Sequence, residues 1–393
     1  MTPDFDEIID RVGTQCSKWD DMQAAYGVTP QDGGLAMWVA DMDFRPPAAV
    51  QRAVEAVAAH GVYGYPGANR PYLEAIRWWM ERRHGWSVDT GWILTCAGLV
   101  NGVAMALDAY TQPGDGVIVM SPVYHAFGRV IRASGRQLVE LPLTQDGGLY
   151  RMDWTAWENR LTGRERLLIL CSPHNPGGRV WTPEELRQVA DFCIRHDLIL
   201  VSDEIHCDLV MPGHRHSVTA NACPDIADRL VTLTAATKTF NIAGAHVGNA
   251  IIGDEGLRNR FKAALMARGI SPGLFGMDMV TAAYSPEGAA WVSALVDYLD
   301  GNRRLFDDGI AAIPGLRSMP LQATYLSWVD FSGTGMEPAE FTARVERTAR
   351  IAANHGATFG TGGESFLRFN IATPRTRVAE AVARLQQAFA DLQ

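Results

Sequence analysis

Leu230-Val-Thr-Leu-Thr-Ala-Ala-Thr-Lys-Thr-Phe-Asn-Ile-Ala-Gly244 decides the fold: an apolar strand-like run gives way to small and hydroxyl residues around Lys238, and then to a glycine. Lys238 is one of only three lysines, with Lys18 and Lys262, and arginine supplies nearly all the other positive charge. A lysine held at a strand end has an ammonium that is costly to desolvate, which lowers its pKa and suits it to Schiff-base chemistry. Taken alone, this stretch favours a solvent-facing loop lysine, so the rest of the chain has to decide.

Working outward, four further runs read as strands: Trp92-Ile-Leu-Thr95, Gly116-Val-Ile-Val-Met120, Arg166-Leu-Leu-Ile-Leu170 and Leu198-Ile-Leu-Val-Ser202. Most are unbroken apolar runs, which predicts a parallel sheet covered on both faces. Helices alternate with them. Pro46-Pro47 opens a helix with Val50, Val54 and Val57 on one face and Gly61 past its end. Thr182-Pro-Glu-Glu185 is a capping box, followed by the stripe Leu186, Val189, Ala190, Cys193. After Gly98 the stripe Val100, Val103, Ala104, Leu107 begins another helix, whose free N-terminal amides favour an anion. From about residue 285 the pattern changes to longer helices with two strand-like stretches, Ala323–Asp330 and Ser365–Asn370.

At 393 residues the chain exceeds what a single core usually holds. The expectation is an α/β large domain over residues 45–285, and a smaller α+β domain from residues 1–44 and 286–393. Hydrophobic content of 47% with 20% charged residues is ordinary for a globular protein. No apolar run is long enough for a membrane helix and the first residues are acidic, so a cytoplasmic protein is expected. A net charge of −9 argues against nucleic-acid or anionic-membrane partners. The six cysteines form no CxxC and read as reduced thiols. His206, Cys207, His214 and His216 are close in sequence but fit no standard zinc spacing, and no metal is expected.

Five features fall at or after the carboxyl ends of these strands, where open α/β sheets bind ligands. Ala97-Gly98-Leu99-Val100 is a tight turn into a helix that can cradle a phosphate. Ser121-Pro-Val-Tyr124 puts an aromatic ring at the sheet edge, for packing or for stacking. Ser172-Pro-His-Asn-Pro-Gly-Gly178 is a polar loop in which Asn175 either makes a local turn or donates to a ligand oxygen. Val201-Ser-Asp-Glu-Ile-His206 places two carboxylates after an apolar strand, where each needs a cation or hydrogen bonds. Lys238 is the fifth.

This ordered set resembles fold-type-I pyridoxal 5'-phosphate (PLP) enzymes. Ala36-Met-Trp-Val-Ala-Asp-Met-Asp-Phe-Arg-Pro-Pro47 is similar to the cystathionine β-lyase-like (MalY/PatB) branch, the C–S lyases of the class I/II aminotransferase superfamily. The resemblance implies a seven-stranded, mostly parallel sheet between helices, and it implies roles. Lys238 would bond the cofactor and later shuttle the Cα proton. Asp203 would pair with the pyridine nitrogen. Asn175 would bond the ring's phenolic oxygen, with His206 near the same edge, and Tyr124 would stack on the ring. Backbone amides of Leu99 and Val100 after Gly98, with Thr234 or Thr237, would hold the phosphate. Tyr65 would reach the phosphate of a neighbouring subunit in a homodimer. Arg368 would clamp the substrate carboxylate, with Asn175 beside it. Ala40 and Asp41 would line the substrate entrance, although the same segment reads equally well as core with Trp38 and Phe44 packed.

Two positions depart from relatives. Ala235 stands where many carry a hydroxyl residue, and His246 stands where aminotransferases often keep an arginine. The implied activity is β-elimination from cysteine S-conjugates, giving a thiol or persulfide, pyruvate and ammonia. Amino transfer is the alternative, and a PLP-binding regulatory protein is the least favoured class.

Overall fold

The computed structural model describes residues 3–269 and 271–392. At its centre is a seven-stranded sheet: β1 (Ile93–Cys96), β2 (Gly116–Val119), β3 (Gln137–Glu140), β4 (Glu165–Cys171), β5 (Ile199–Asp203), β6 (Leu230–Thr234) and β7 (Gly248–Ile251). The spatial order is β1-β7-β6-β5-β4-β2-β3. β7 runs antiparallel to β1 and β6, and the other pairings are parallel, so β7 alone reverses. The carboxyl ends of β1, β2, β4, β5 and β6 therefore open on one edge, which brings five distant motifs together.

The five expected strands are present, with ends displaced by at most one residue. Alternation along them explains the unbroken apolar runs. Leu167 and Ile169 pack on one face with Val103, Leu107 and Phe261. Leu168 and Leu170 pack on the other with Leu186, Val189 and Phe192. β3 escapes a reading by apolar run because it is a half-exposed edge. β7 escapes it because Gly248-Asn-Ala-Ile251 is short and carries a buried amide, Asn249, paired with the Tyr72 hydroxyl.

The capping box forms as read. The Thr182 hydroxyl accepts from Glu185 N at 3.2 Å and the Glu185 carboxylate accepts from Thr182 N at 2.8 Å, at the head of helix Pro183–Arg195. Leu186, Val189, Ala190 and Cys193 are all buried. Helix Ala48–His60 ends at Gly61, whose φ of +74° is the left-handed cap that glycine supplies. Its apolar face is covered less than expected: Val50 is buried, but Val54 and Val57 are only half-buried beside helix Leu274–Ala283.

A second, antiparallel sheet holds β8 (Arg317–Ser318), β9 (Leu326–Asp330), β10 (Asn354–His355) and β11 (Phe366–Asn370) in the order β8-β9-β11-β10. Helices Pro286–Ala311 and Arg375–Ala388 share its core through Leu295, Leu299, Val378 and Leu385. Leu35–Ala36 pairs in parallel with Ile351–Ala352, which sets the N-terminal segment beside this sheet. Among the described residues no helix is long and apolar enough to cross a membrane.

Candidate active site

Lys238 lies in the single helical turn Ala236–Thr239, directly after β6. Its ammonium donates to the backbone carbonyl of Ala40 at 2.5 Å. Burial lowers its pKa to about 8; Asp41 and Asp203 favour the charged form and Arg368 opposes it. The amine is partly accessible and has a neutral oxygen for its hydrogen-bond partner, the setting in which a lysine can react.

Asp203 ends β5, and its buried carboxylate accepts one hydrogen bond, from Ile205 N at 3.1 Å. Burial pushes its pKa up to about 7. Its neighbour Glu204 behaves in the opposite way. His216 Nε2 lies 2.8 Å from it, and Ser202 Oγ and Thr219 N donate at 2.9 and 3.0 Å. Burial opposes ionisation there, but these partners hold Glu204 below the usual carboxylate range. Of the two acids read after the strand, Glu204 is the one whose charge the fold satisfies, and Asp203 is left to meet a cation from outside the chain.

Arg368 sits in β11, buried. Nη1 donates to Asn175 Oδ1 at 3.0 Å, Nη2 to the carbonyl of Trp38 at 2.9 Å and to Asn354 Oδ1, and the guanidinium lies 4.9 Å from the Phe359 ring. Nε has no partner. With only neutral acceptors around it, burial lowers its pKa to about 10. A desolvated guanidinium without a carboxylate is a site for one.

Gly98 adopts φ +89° and caps helix Leu99–Tyr110, so the first amides, Leu99 and Val100, are free of intrahelical partners. Asn101 Oδ1 accepts from Ala97 N at 3.1 Å and closes the turn. β7 comes close because residue 248 is glycine: a Cβ there would meet Leu99 N at 3.3 Å and the Leu99 side chain at 2.5 Å. Thr234 Oγ1 is buried without a partner, Thr237 is buried in the turn of Lys238, and Ala235 is buried between them. Tyr124 stands half-buried at the head of helix His125–Ala133, its ring 5.6 Å from Phe127. His206 is buried with Nδ1 unpartnered, and burial lowers its pKa to about 3, so the imidazole is neutral.

The Trp38–Phe44 segment runs past Lys238, with Trp38 half-buried. Ala40 turns its carbonyl to Lys238, whereas Phe44 is core and the Asp41 carboxylate is taken by Arg11 at 2.8 Å. Tyr65 is fully exposed in a stretch without helix or strand, so one chain does not bring it to the other residues. Reading by motif missed Tyr325, whose hydroxyl donates to Ala40 O at 2.9 Å, and Asn241, whose side chain holds Met42 and Phe44. Both lie inside stretches singled out on other grounds, and a polar residue within an apolar run was the available signal. His84, Cys207 and Asp208 bring ligand-type atoms within 4.8 Å of one another. Asp208 is already saturated there by Arg83, His84, Trp79 and Thr239.

The donor set fits PLP: an uncompensated carboxylate for a pyridinium, a lysine of lowered pKa for a carbonyl carbon, and free amides beside an unpartnered hydroxyl for a phosphate. Comparison with known proteins agrees. The family model for class I and II aminotransferases matches residues 39–385. The chain is 37% identical over 388 residues to cystathionine beta-lyase PatB of Bacillus subtilis, covering 98% of this chain and 99% of that one. It is 31% identical to protein MalY of Escherichia coli over 97% of each. Cystalysin from Treponema denticola, a structure containing PLP, superposes with a TM-score of 0.95 at 34% identity over 100% of both chains. The PLP-bound C–S lyase of Staphylococcus hominis superposes with a TM-score of 0.91 at 28% identity, over 99% of this chain and 98% of that one.

Proposed function

Since the chain belongs to the class I and II aminotransferase family and takes PLP as its cofactor, we propose that it is a carbon–sulfur β-lyase acting on L-cysteine S-conjugates. With water, cystathionine or another S-substituted cysteine gives a thiol (a persulfide from cystine), pyruvate and ammonia. The observation that carries this reading is the trio of buried Asp203, buried Arg368 and half-buried Lys238, each short of a counter-charge. Its relatives' names supply the substrate class.

PLP, when bound, supplies an electron sink for the Cα carbanion. Lys238 would hold it, Asp203 would keep its ring nitrogen protonated, Asn175 and His206 would lie along its phenolic edge, and Tyr124 would cover a face. The amides of Leu99 and Val100, with Thr234 or Thr237, would hold its phosphate. Arg368 receives the substrate carboxylate as a bidentate pair, with Asn175 alongside. That fixes the amino acid's orientation and presents its Cα–H bond to Lys238. The lysine, with a pKa near 8, is deprotonated often enough to take the Cα proton and protonated often enough to return one. The C–S bond breaks at Cβ, its electron pair leaving on sulfur, and water releases ammonia from the remaining three-carbon fragment.

The family homodimer gives fully exposed Tyr65 a place at the neighbouring site, and the half-buried Val54 and Val57 suit such an interface. The division into residues 45–285 and the two flanking pieces, 1–44 and 286–393, belongs to the same reading. Six free cysteines fit the reducing cytoplasm. The test is incubation of the PLP-loaded protein with L-cystathionine and S-methyl-L-cysteine, following thiol and pyruvate. Release of neither from any S-substituted cysteine would overturn the assignment.

A further inference from the structure

Trp38–Met42 belongs to no helix or strand, yet a side chain from elsewhere holds it at every carbonyl. Arg368 Nη2 donates to Trp38 O at 2.9 Å, and Asn370 Nδ2 donates to Val39 O at 2.6 Å and to Asp41 O at 2.5 Å. Lys18 Nζ donates to Asp41 O at 3.1 Å, and Met42 O accepts from Arg11 Nη1 at 3.0 Å and Asn241 Nδ2 at 2.9 Å. Ala40 O, in the middle, takes two donors at once: Lys238 Nζ at 2.5 Å and the Tyr325 hydroxyl at 2.9 Å. Irregular backbone inside a protein must have its polar groups paired. Here the pairing comes from side chains of four separated parts of the chain, so the position of the Ala40 carbonyl is set by the tertiary structure.

We infer that Tyr325 is a positioning residue that tunes Lys238 through the shared carbonyl of Ala40. The inference rests on Lys238 being the reacting amine. A carbonyl oxygen has two lone pairs, and Tyr325 occupies one of them. Its hydroxyl fixes the oxygen against which the ammonium sits, and it draws off negative charge that would otherwise favour that ammonium. The sign follows: with Tyr325 donating, protonation of Lys238 is less favourable and the amine is freer to act as a base.

Tyr325 is suited to this task because burial keeps its phenol neutral and hence a donor. Other groups also act on the amine. Asp41 and Asp203 favour the ammonium, while Arg368 and burial oppose it. The neutral His206 ring lies edge-on to Tyr325 at 6.2 Å, and Asp203 titrates near 7. None of these side chains is itself altered when only the 325 hydroxyl is changed, so a shift on that change points to the shared carbonyl.

The test reads the amine itself. Protein stripped of PLP, its fold checked by circular dichroism, is trace-labelled with acetic anhydride from neutral to alkaline pH. The Lys238 peptide is then quantified against exposed Lys262 by mass spectrometry. The wild type is expected to inflect near 8. Tyr325→Phe should move the inflection up by roughly 0.5–1 pH unit, and a fluorinated tyrosine at position 325, a stronger donor of the same shape, should move it down. The acid limb of kcat for thiol release in the PLP-loaded proteins, which reports the enzyme with substrate in the site, should move with it. An inflection unmoved in both variants overturns the inference, even if thiol release continues. An inflection that moves as expected, in a protein that releases no thiol, supports the inference and overturns the lyase assignment instead.

Discussion

Lys18 and Lys238 both donate to the same stretch, residues 38–44, and their surroundings differ in kind. Lys18 is wholly buried with the carboxylate of Asp43 at 3.1 Å, and Asp43 also accepts from Arg11 at 2.8 Å and Trp19 Nε1 at 3.0 Å. Burial opposes the charge on Asp43, but Lys18, Trp19 and Arg11 outweigh it and hold its pKa at about 2. Lys238 has the neutral carbonyl of Ala40, and its pKa falls to about 8. The acids repeat the contrast: Glu204 and Asp208 are ionised against partners within the chain, whereas Asp203 is pushed up to about 7. Where the chain matches a buried charge, the residue holds the fold. Where it leaves one unmatched, as at the carboxyl edge of the sheet, we propose that the residue complements a ligand.

Four substitutions break or sharpen that contrast, in order of their effect on turnover. Lys238→Ala removes the amine that handles the Cα proton, and thiol release should fall by roughly 10⁴-fold or more, measured with the variant reconstituted in excess PLP. Asp203→Asn should lower kcat/KM by about 10²–10³-fold and at the same time stabilise the cofactor-free protein at pH above 7. The sign is set by its raised pKa: between the carboxylate's ordinary range and about 7, the folded protein keeps a proton that the unfolded chain has lost. The cofactor-free wild type therefore loses stability, by up to a few kcal/mol, as pH rises from the ordinary carboxylate range to about 7, and the asparagine variant should not. Thermal melts of both proteins across that range check this. If the two melt alike at every pH, the unmatched state of Asp203 is disproved.

Arg368→Lys keeps the charge but loses the planar fork, so KM for the amino acid should rise about 10–100-fold, with a smaller change in kcat; steady-state kinetics separate the two. Asp43→Asn should have the smallest effect on kcat and a large one on stability. It leaves Lys18 buried with only the more distant Asp41, at 3.9 Å, as counter-charge, at a cost of about 3–5 kcal/mol in a denaturant titration. A variant that keeps its stability and loses its chemistry would reverse the assignment of the two lysines.

The candidate site was legible in the sequence because it sits at strand ends. An apolar run followed by polar residues marks a carboxyl edge, and a mostly parallel sheet gathers those edges into one place. The turn at Gly98, Asn175, Asp203 and Lys238 all follow from that rule, and the capping box at Thr182 follows from local spacing. What was not legible depends on tertiary closeness. Gly248 matters because β7 presses on the Gly98 turn, and no local pattern marks that approach. Tyr325 and Asn370 act on the backbone of residues 39–41, far away in sequence, and an apolar run containing a tyrosine reads as ordinary strand. Val54 and Val57 read as a core face, yet in a single chain they are only half-covered.

The central proposal is that the unmatched trio holds PLP and the amino acid, and that the amino acid then loses its sulfur substituent rather than its nitrogen to an acceptor. The most direct measurement is the partition of L-cystathionine in one reaction with PLP-loaded protein and an added 2-oxo acid, counting thiol, pyruvate and transferred amino groups together. The account expects thiol and pyruvate in equal amounts, released catalytically whether or not the 2-oxo acid is present. Amino transfer to the 2-oxo acid without thiol release would contradict it and make the protein an aminotransferase.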